Sequence, residues 1–141
     1  MIKGIVLPLM SCFLVLMIGA DCRAQSIVID RIEADKSITG HVSELSPAKY
    51  PSCKVIVYVH TDQWYIHPFA GQGEGASWAS ILDNGTWHLQ TVRREFKADR
   101  VAALVVNRDY SEPSKVENIE AIPYVAETTK DLRNTPDEGK L

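Results

Sequence analysis

Cysteine is scarce in this sequence, and two of the three cysteines, Cys12 and Cys22, lie within the first 22 residues. If that segment is removed from the chain, Cys53 remains alone and no intrachain disulfide can form. A small domain stabilised by disulfides is therefore excluded, and the fold has to be stabilised by a hydrophobic core. Roughly 117 residues would remain, which is enough for one domain of that kind.

Basic residues are also too few to support one obvious class of function. Residues 25–141 contain 13 basic and 17 acidic side chains, a net charge of −4. Nucleic-acid binding is disfavoured, because a phosphate backbone requires a basic face. The basic residues cluster once, in a loop that we interpret as solvated because two carboxylates are interleaved with them. The members of this loop are Arg93, Arg94, Glu95, Lys97, Asp99 and Arg100.

Long apolar runs are missing except at the start of the chain, which reads MIKGIVLPLMSCFLVLMIGADCRAQS. Lys3 supplies a positive charge ahead of an almost wholly apolar stretch, residues 4–20, and this layout is typical of a signal peptide. The stretch is shorter than the roughly 20 residues of a transmembrane helix, and Pro8 interrupts it. We therefore expect a cleaved leader and no stable membrane span after cleavage.

The leader is predicted to comprise residues 1–24. Signal peptidase requires small residues at its first and third subsites, and Ala24 and Cys22 supply them. A lipoprotein is the less favoured alternative, because acylation needs a small residue before the modified cysteine and Cys22 follows Asp21. The expected location is the periplasm or the extracellular space.

Helical periodicity is absent outside the leader, whereas short β-patterns recur along the whole chain. These patterns predict an all-β domain over residues 25–127, an immunoglobulin-like antiparallel β-sandwich of about seven strands. Residues 128–141 are polar and contain Pro136 and Gly139, so we expect a disordered tail. The predicted strands are residues 26–33, 37–43, 54–60, 64–67, 77–82, 86–92, 101–106 and a last, irregular one within 117–127.

Two of these segments carry the most specific signals. Residues 54–60 read KVIVYVH, which is apolar on both faces and predicts a central strand covered on both sides. Asn84 and Gly85 predict a hairpin with a type I′ turn. In the strand that follows, Trp87 and Leu89 are predicted to face the core and His88 to face solvent.

The candidate binding residues lie in the segment YVHTDQWYIHP, residues 58–68. Sugar-binding β-sandwiches use exposed aromatic rings as stacking platforms, and a loop that holds such a ring outward among polar side chains would suit this purpose. The alternative is that the rings fill the core between the sheets. The predicted ligand-binding residues are Asp62, Gln63, Trp64, Tyr65 and His67.

Two further site types stay open at this point. Imidazoles are common zinc and copper ligands, so a histidine-dependent metal site is one alternative, although no metal-binding spacing is present and the metal is unknown. A small hydrolase that uses Asp62, His67 and His88 is the other. We assign no catalytic residue and no cofactor, and we interpret Cys53 as a packing residue at a strand start. The candidate metal ligands are His41, His60, His67 and His88.

The order KVIVYVHTDQWYIHP, ASWASILDNGTWHLQTV and ADRVAALVV resembles bacterial extracellular accessory β-sandwich modules, found on secreted carbohydrate-active enzymes and as stand-alone exported proteins. The resemblance covers about residues 36–110, and the hairpin with Trp87 is its most specific part. It implies an immunoglobulin-like fold and an accessory or binding role, with no catalytic residues. We therefore expect a non-catalytic monomeric module whose partner is a glycan, a cell-envelope polymer or an envelope protein.

Overall fold

Eight β-strands and two short 3-10 helices make up the chain in a computed structural model that describes residues 26–135 and 137–141. The strands are β1 (Ser26–Glu33), β2 (Ser37–Ser43), β3 (Cys53–His60), β4 (Trp64–Ile66), β5 (Thr86–Gln90), β6 (Arg100–Asn107), β7 (Lys115–Val116) and β8 (Ala126–Asp131). The 3-10 helices are Pro47–Ser52 and Ile119–Ala121. The predicted leader lies outside the described residues.

The strands form two antiparallel sheets, which confirms the predicted all-β sandwich. One sheet has three strands in the order β1-β2-β5, and the other has five in the order β7-β4-β3-β6-β8. Placing the first, second and fifth strands opposite the third, sixth and last is the immunoglobulin-like arrangement. β1 lies against β6 and β8, so the three-stranded sheet covers the half of the larger sheet that contains β6 and β8 more fully than the half that contains β4 and β7.

Strand β3 is buried on both faces, as its sequence predicts. Val55 and Val57 face the core between the two sheets, where they join Trp87 and Leu89 of β5. Ile56 faces a second apolar cluster on the outer side of the five-stranded sheet. β3 also pairs along its whole length with β6, another strand buried on both faces. Two-sided burial requires apolar side chains at successive positions, which the sequence supplies.

The outer cluster is covered by the segment between β6 and β8, which contains little regular structure. Ile119 and Ile122 from this segment are buried against Ile56 and Leu104. The irregular strand predicted within residues 117–127 is a 3-10 helix at Ile119–Ala121 followed by the start of β8. Apolar side chains at short, uneven intervals can cover a sheet face without forming a strand of their own.

Polar contacts tie the same segment to β3. Lys54 is 4% exposed, and its Nζ donates hydrogen bonds to the carbonyl oxygen of Tyr110 (2.7 Å) and to Oε2 of Glu112 (2.6 Å). The hydroxyl of Tyr58 donates to the carbonyl oxygen of Pro113 at 2.6 Å, and burial raises the pKa of this phenol. Each buried polar group on this face of β3 therefore has a partner in the covering segment.

The turn before β5 lies where the sequence predicts it, but its type differs from the prediction. The N–H of Gly85 donates to the carbonyl oxygen of Leu82, and the N–H of Leu82 donates to that of Thr86, both at 2.8 Å. Gly85 has φ of 84° whereas Asn84 does not adopt positive φ. The loop is thus a three-residue turn closed by a left-handed glycine rather than a two-residue type I′ turn.

Two other expectations need correction. The segment predicted as a strand over residues 77–82 forms only isolated bridges, including one between Ala79 and Val55. Residues 128–141 are expected to be disordered, but β8 extends to Asp131, and both Leu132 and Leu141 are buried in the main core. β8 pairs with β6 through backbone hydrogen bonds, and two leucines are buried. These interactions order the strand despite the polar composition of the sequence. In the part of the chain described, no helix is long and apolar enough to cross a bilayer.

Gly40 is required by the packing of the three-stranded sheet. It lies opposite Trp87 in the β2–β5 ladder, and β1 has a register irregularity between Ile29 and Arg31. A Cβ atom added at Gly40 would lie 2.0 Å from the carbonyl oxygen of Val28 and 2.5 Å from Cζ2 of Trp87. Only a residue without a side chain leaves room here for both the Val28 carbonyl oxygen and the Trp87 indole.

We therefore expect Gly40→Ala to lower the free energy of unfolding by about 3 kcal/mol, because a backbone oxygen and a buried ring must both shift. Urea titration followed by tryptophan fluorescence measures the loss. Thr39→Ala, one position away on the outward face, is the control and should cost about 1 kcal/mol or less. Equal losses in the two variants would contradict this account of Gly40.

The ion pair between Lys54 and Glu112 gives a second expectation. Glu112→Ala leaves the buried ammonium without its carboxylate and should lower stability by about 2 to 3 kcal/mol. Adding Lys54→Met removes the unpaired charge and should restore part of that loss, which urea titration of the single and double variants measures. Additive losses in the double variant would show that the two groups are not coupled.

Candidate functional site

The β3–β4 hairpin places the predicted binding residues. The chain turns back after His60, where the N–H of Thr61 donates to the carbonyl oxygen of Gln63 at 3.0 Å. β4 then pairs with β3 so that Tyr65 lies opposite Val59. Because side chains alternate along a strand, Tyr65 shares the inner face of the sheet with Val59, while Trp64 faces the outer cluster.

Trp64 is therefore not a stacking platform, contrary to the prediction. Its side chain is 5% exposed and packs among the apolar residues of the outer cluster. His60 meets its ring edge-on at a centroid distance of 5.0 Å, and Cζ of Arg100 lies 5.1 Å from the ring centroid. The covering segment between β6 and β8 is what buries this indole. Trp87 is also in the core, as predicted, at 1% exposure.

Asp62 and Tyr65 form a hydrogen-bonded pair at the surface. The Tyr65 hydroxyl donates to Oδ1 of Asp62 at 3.0 Å and to Oδ2 at 3.3 Å, and the Thr61 hydroxyl donates to Oδ1 at 3.0 Å. These donors, that of Tyr65 first, hold the pKa of Asp62 below its usual value, and the same bond raises the pKa of Tyr65. Asp62 is thus an anion and Tyr65 a neutral phenol at neutral pH, and the bond fixes the position of the Tyr65 ring.

His67 lies just after β4 and is almost fully buried. Its backbone N–H donates to the carbonyl oxygen of Val57 at 2.9 Å, and its Nε2 forms a hydrogen bond with the hydroxyl of Thr91. Burial, and secondarily the charge of Arg94, lower the pKa of His67 from 6.5 to about 3. The imidazole is therefore neutral at neutral pH.

Three of the five predicted binding residues, Asp62, Tyr65 and His67, line one cavity with a volume of about 730 Å³. Gln63, which is half-buried, and Trp64 do not line it. The cavity reaches the surface, because Asp62 is exposed. Its remaining lining residues are Val59, Thr61, Ile66, Ala70, Arg94, Phe96, Lys97, Ser114 and Leu141.

The cavity follows from the unequal width of the two sheets. The three-stranded sheet lies over β6 and β8, whereas β4 is on the other side of β3 in the five-stranded sheet. The inner face of β4 is therefore left to loops, and residues 94–97 cover it only in part. The N–H of Arg94 donates to the carbonyl oxygen of Lys140 at 2.7 Å, which holds this loop against the end of the described chain.

Sequence reasoning missed the loop that closes the cavity. Arg94, Phe96 and Lys97 belong to the charged stretch interpreted as solvated, and all three line the cavity. Phe96 is 75% exposed, so its ring is available to a ligand. Nη2 of Arg94 donates to the carbonyl oxygen of Pro68 at 2.5 Å, and its Cζ lies 5.7 Å from the centroid of the Phe69 ring. The sequence signal for this loop is weak: RREFK holds one large apolar residue, Phe96, among charged ones.

The histidines are distributed over different surfaces. His88 is exposed on the outer face of the three-stranded sheet, and on that face Nδ1 of His41 bonds Oδ2 of Asp30 at 2.7 Å. His60 bonds Oδ1 of Asp99 through its Nδ1 at 2.8 Å. Over residues 26–135 and 137–141, no three His, Cys, Asp or Glu side chains lie close enough together to hold a metal ion.

The constellation considered for a hydrolase is not formed. Asp62 and His67 line the cavity, but His88 lies on the other sheet. Cys53 is a buried free thiol within the main core, in agreement with a packing residue. The side chains that line the cavity include two aromatic rings, two cations, one carboxylate and several apolar groups.

No family model, curated protein or solved structure matches this chain. The chemistry of the cavity consequently rests on its own residues.

Burial of a neutral His67 makes stability depend on pH. Below pH 6.5 the unfolded chain binds a proton at this imidazole that the folded chain does not bind until about pH 3, so stability is lost as the pH falls through this window. The contribution approaches about 1.4 kcal/mol per pH unit. Urea titrations from pH 7 to pH 4 should show a shallower fall for His67→Gln than for the native chain.

His88→Gln is the matched control, because this histidine is exposed. Its stability should follow the native pH dependence. If His67→Gln and the native chain lose stability in parallel, the imidazole is not held neutral by its surroundings.

Proposed function

We propose that this chain is an exported, non-catalytic binding module, and that the cavity beside β4 is its binding site for a glycan or cell-envelope polymer. The observation that carries the proposal is the placement of Tyr65. Its ring is half-buried in the cavity wall, and its hydroxyl is fixed by Asp62. An aromatic ring held rigidly in a concave site is what a sugar ring requires for stacking.

The size and composition of the cavity support the proposal. A volume of about 730 Å³ lies within the range of small-molecule and ligand pockets and accommodates one or two sugar rings. Tyr65 and Phe96 supply aromatic surface, while Asp62, Thr61 and Ser114 supply hydrogen-bonding groups. Sugar recognition uses this combination, because each ring has apolar C–H faces and a polar hydroxyl rim.

Binding is favoured over hydrolysis by the state of His67, the histidine that lines the cavity. Nε2 of His67 is engaged by Thr91, and its pKa of about 3 makes it a poor base at neutral pH. Asp62 accepts hydrogen bonds from Thr61 and Tyr65, so its oxygens act as fixed acceptors. These groups can orient a ligand, whereas they are not arranged to activate water.

Two features of the sequence support export and an accessory role. The apolar stretch behind Lys3 has the layout of a cleavable leader. The resemblance of residues 36–110 to accessory β-sandwich modules of secreted carbohydrate-active enzymes favours glycans or cell-envelope polymers among possible partners. In this proposal the protein acts as a monomer in the periplasm or outside the cell.

A glycan array followed by calorimetry with Tyr65→Ala tests the site. Loss of the stacking ring should remove about 1 kcal/mol of binding free energy, a five- to tenfold increase in Kd. Tyr124→Ala is the matched control, because Tyr124 is an exposed tyrosine that does not line the cavity. Failure of every glycan to bind, or equal affinity of the native chain and Tyr65→Ala, would contradict the proposal.

A further inference from the structure

The charges around the cavity differ in sign from the chain as a whole. The full sequence has a net charge of −3, yet the cavity is lined by two cations, Arg94 and Lys97, and one carboxylate, Asp62. The carboxylate is already engaged by the hydroxyls of Tyr65 and Thr61. The lining side chains therefore carry one more positive than negative charge.

Both cations are available to a ligand. Within the described part of the chain, neither Arg94 nor Lys97 forms a salt bridge with a protein carboxylate, although other surface lysines and arginines do. Several other cations in the described residues also lack a carboxylate partner, but Arg94 and Lys97 lie on the wall of the same cavity, where both can bind an anion supplied from outside.

Arg94 is also held in position. One of its Nη atoms donates to the carbonyl oxygen of Pro68 at 2.5 Å, and its guanidinium lies 5.7 Å from the Phe69 ring. A guanidinium has five N–H donors in a planar arrangement that matches a carboxylate. The bond to Pro68 uses one side of the group, so further donors remain, and little side-chain freedom is left to lose on binding.

From these observations we infer that the cavity selects an acidic saccharide, a sugar unit that carries a carboxylate. The carboxylate binds Arg94 and Lys97, and the apolar face of the sugar ring packs on Tyr65 and Phe96. The inference rests on the proposed function and narrows it, because a neutral glycan would leave both cations without a partner. It also explains why an exposed phenylalanine lies between two cations in the sequence RREFK.

The test compares acidic saccharides with neutral forms of the same chains. Oligosaccharides of galacturonate, of alginate and of hyaluronan are titrated calorimetrically into the purified protein, each beside its methyl ester, together with neutral hexose oligomers. At least one acid form should bind about tenfold more tightly than its ester. Added salt should weaken binding of the acid form and leave the ester unchanged, because screening acts on the charge interaction.

Variants on one loop separate the cavity from general surface charge. Lys97→Gln should reduce the advantage of the acid form over the ester severalfold, and Arg94→Lys should do the same by removing the planar donor arrangement while keeping the charge. Arg93→Gln is the matched control, since Arg93 is adjacent and exposed but does not line the cavity. Thermal melts confirm that each variant is folded.

The outcomes are distinct. Equal affinity for acid and ester, or a loss in Arg93→Gln as large as in Lys97→Gln, overturns selection for a carboxylate while the glycan site itself stands. If only the neutral hexose oligomers bind, selection for a carboxylate is likewise overturned and the glycan site stands. If no saccharide of either kind binds, the glycan function and the present inference both fail.

Discussion

Strand β3 packs alternate residues into two separate apolar cores, and the position of the cavity depends on this two-sided burial. Val57 is held between the sheets, and Ile56 is held under the segment that follows β6. With β3 fixed on both faces, its hairpin with β4 has one possible orientation. Tyr65 must then face inward, beyond the reach of the three-stranded sheet. The uncovered part of the inner face becomes the cavity wall.

Much of the fold could be predicted from local sequence patterns, because each pattern reflects what covers a strand. Apolar and polar residues alternate in SITGHVS, which predicts the bounds of β2. The apolar run in KVIVYVH predicts a central strand. The tail could not be predicted in this way. Its polar composition describes the exposed face of β8, whereas its order comes from pairing with β6 and from the buried Leu132, which only the folded chain reveals.

The site could be predicted only in part, for a related reason. Asp62 and Tyr65 were identifiable because an aromatic, polar turn follows a buried strand. Trp64 is predicted to bind a ligand but is buried, and the residues that bury it lie some fifty positions later and carry no strong pattern. Arg94 and Lys97 look like ordinary solvated charges in sequence, and only their approach to β4 gives them a role. Local sequence patterns predict strands, whereas a cavity forms between segments that are far apart in the sequence.

The most direct measurement of the central claim is an NMR titration of the isotope-labelled protein with acidic oligosaccharides. The account predicts backbone shift changes confined to Asp62, Tyr65, His67 and residues 94–97, around the cavity. Changes centred instead on the outer face of the three-stranded sheet, around His88, would contradict it, as would the absence of any change at saturating saccharide.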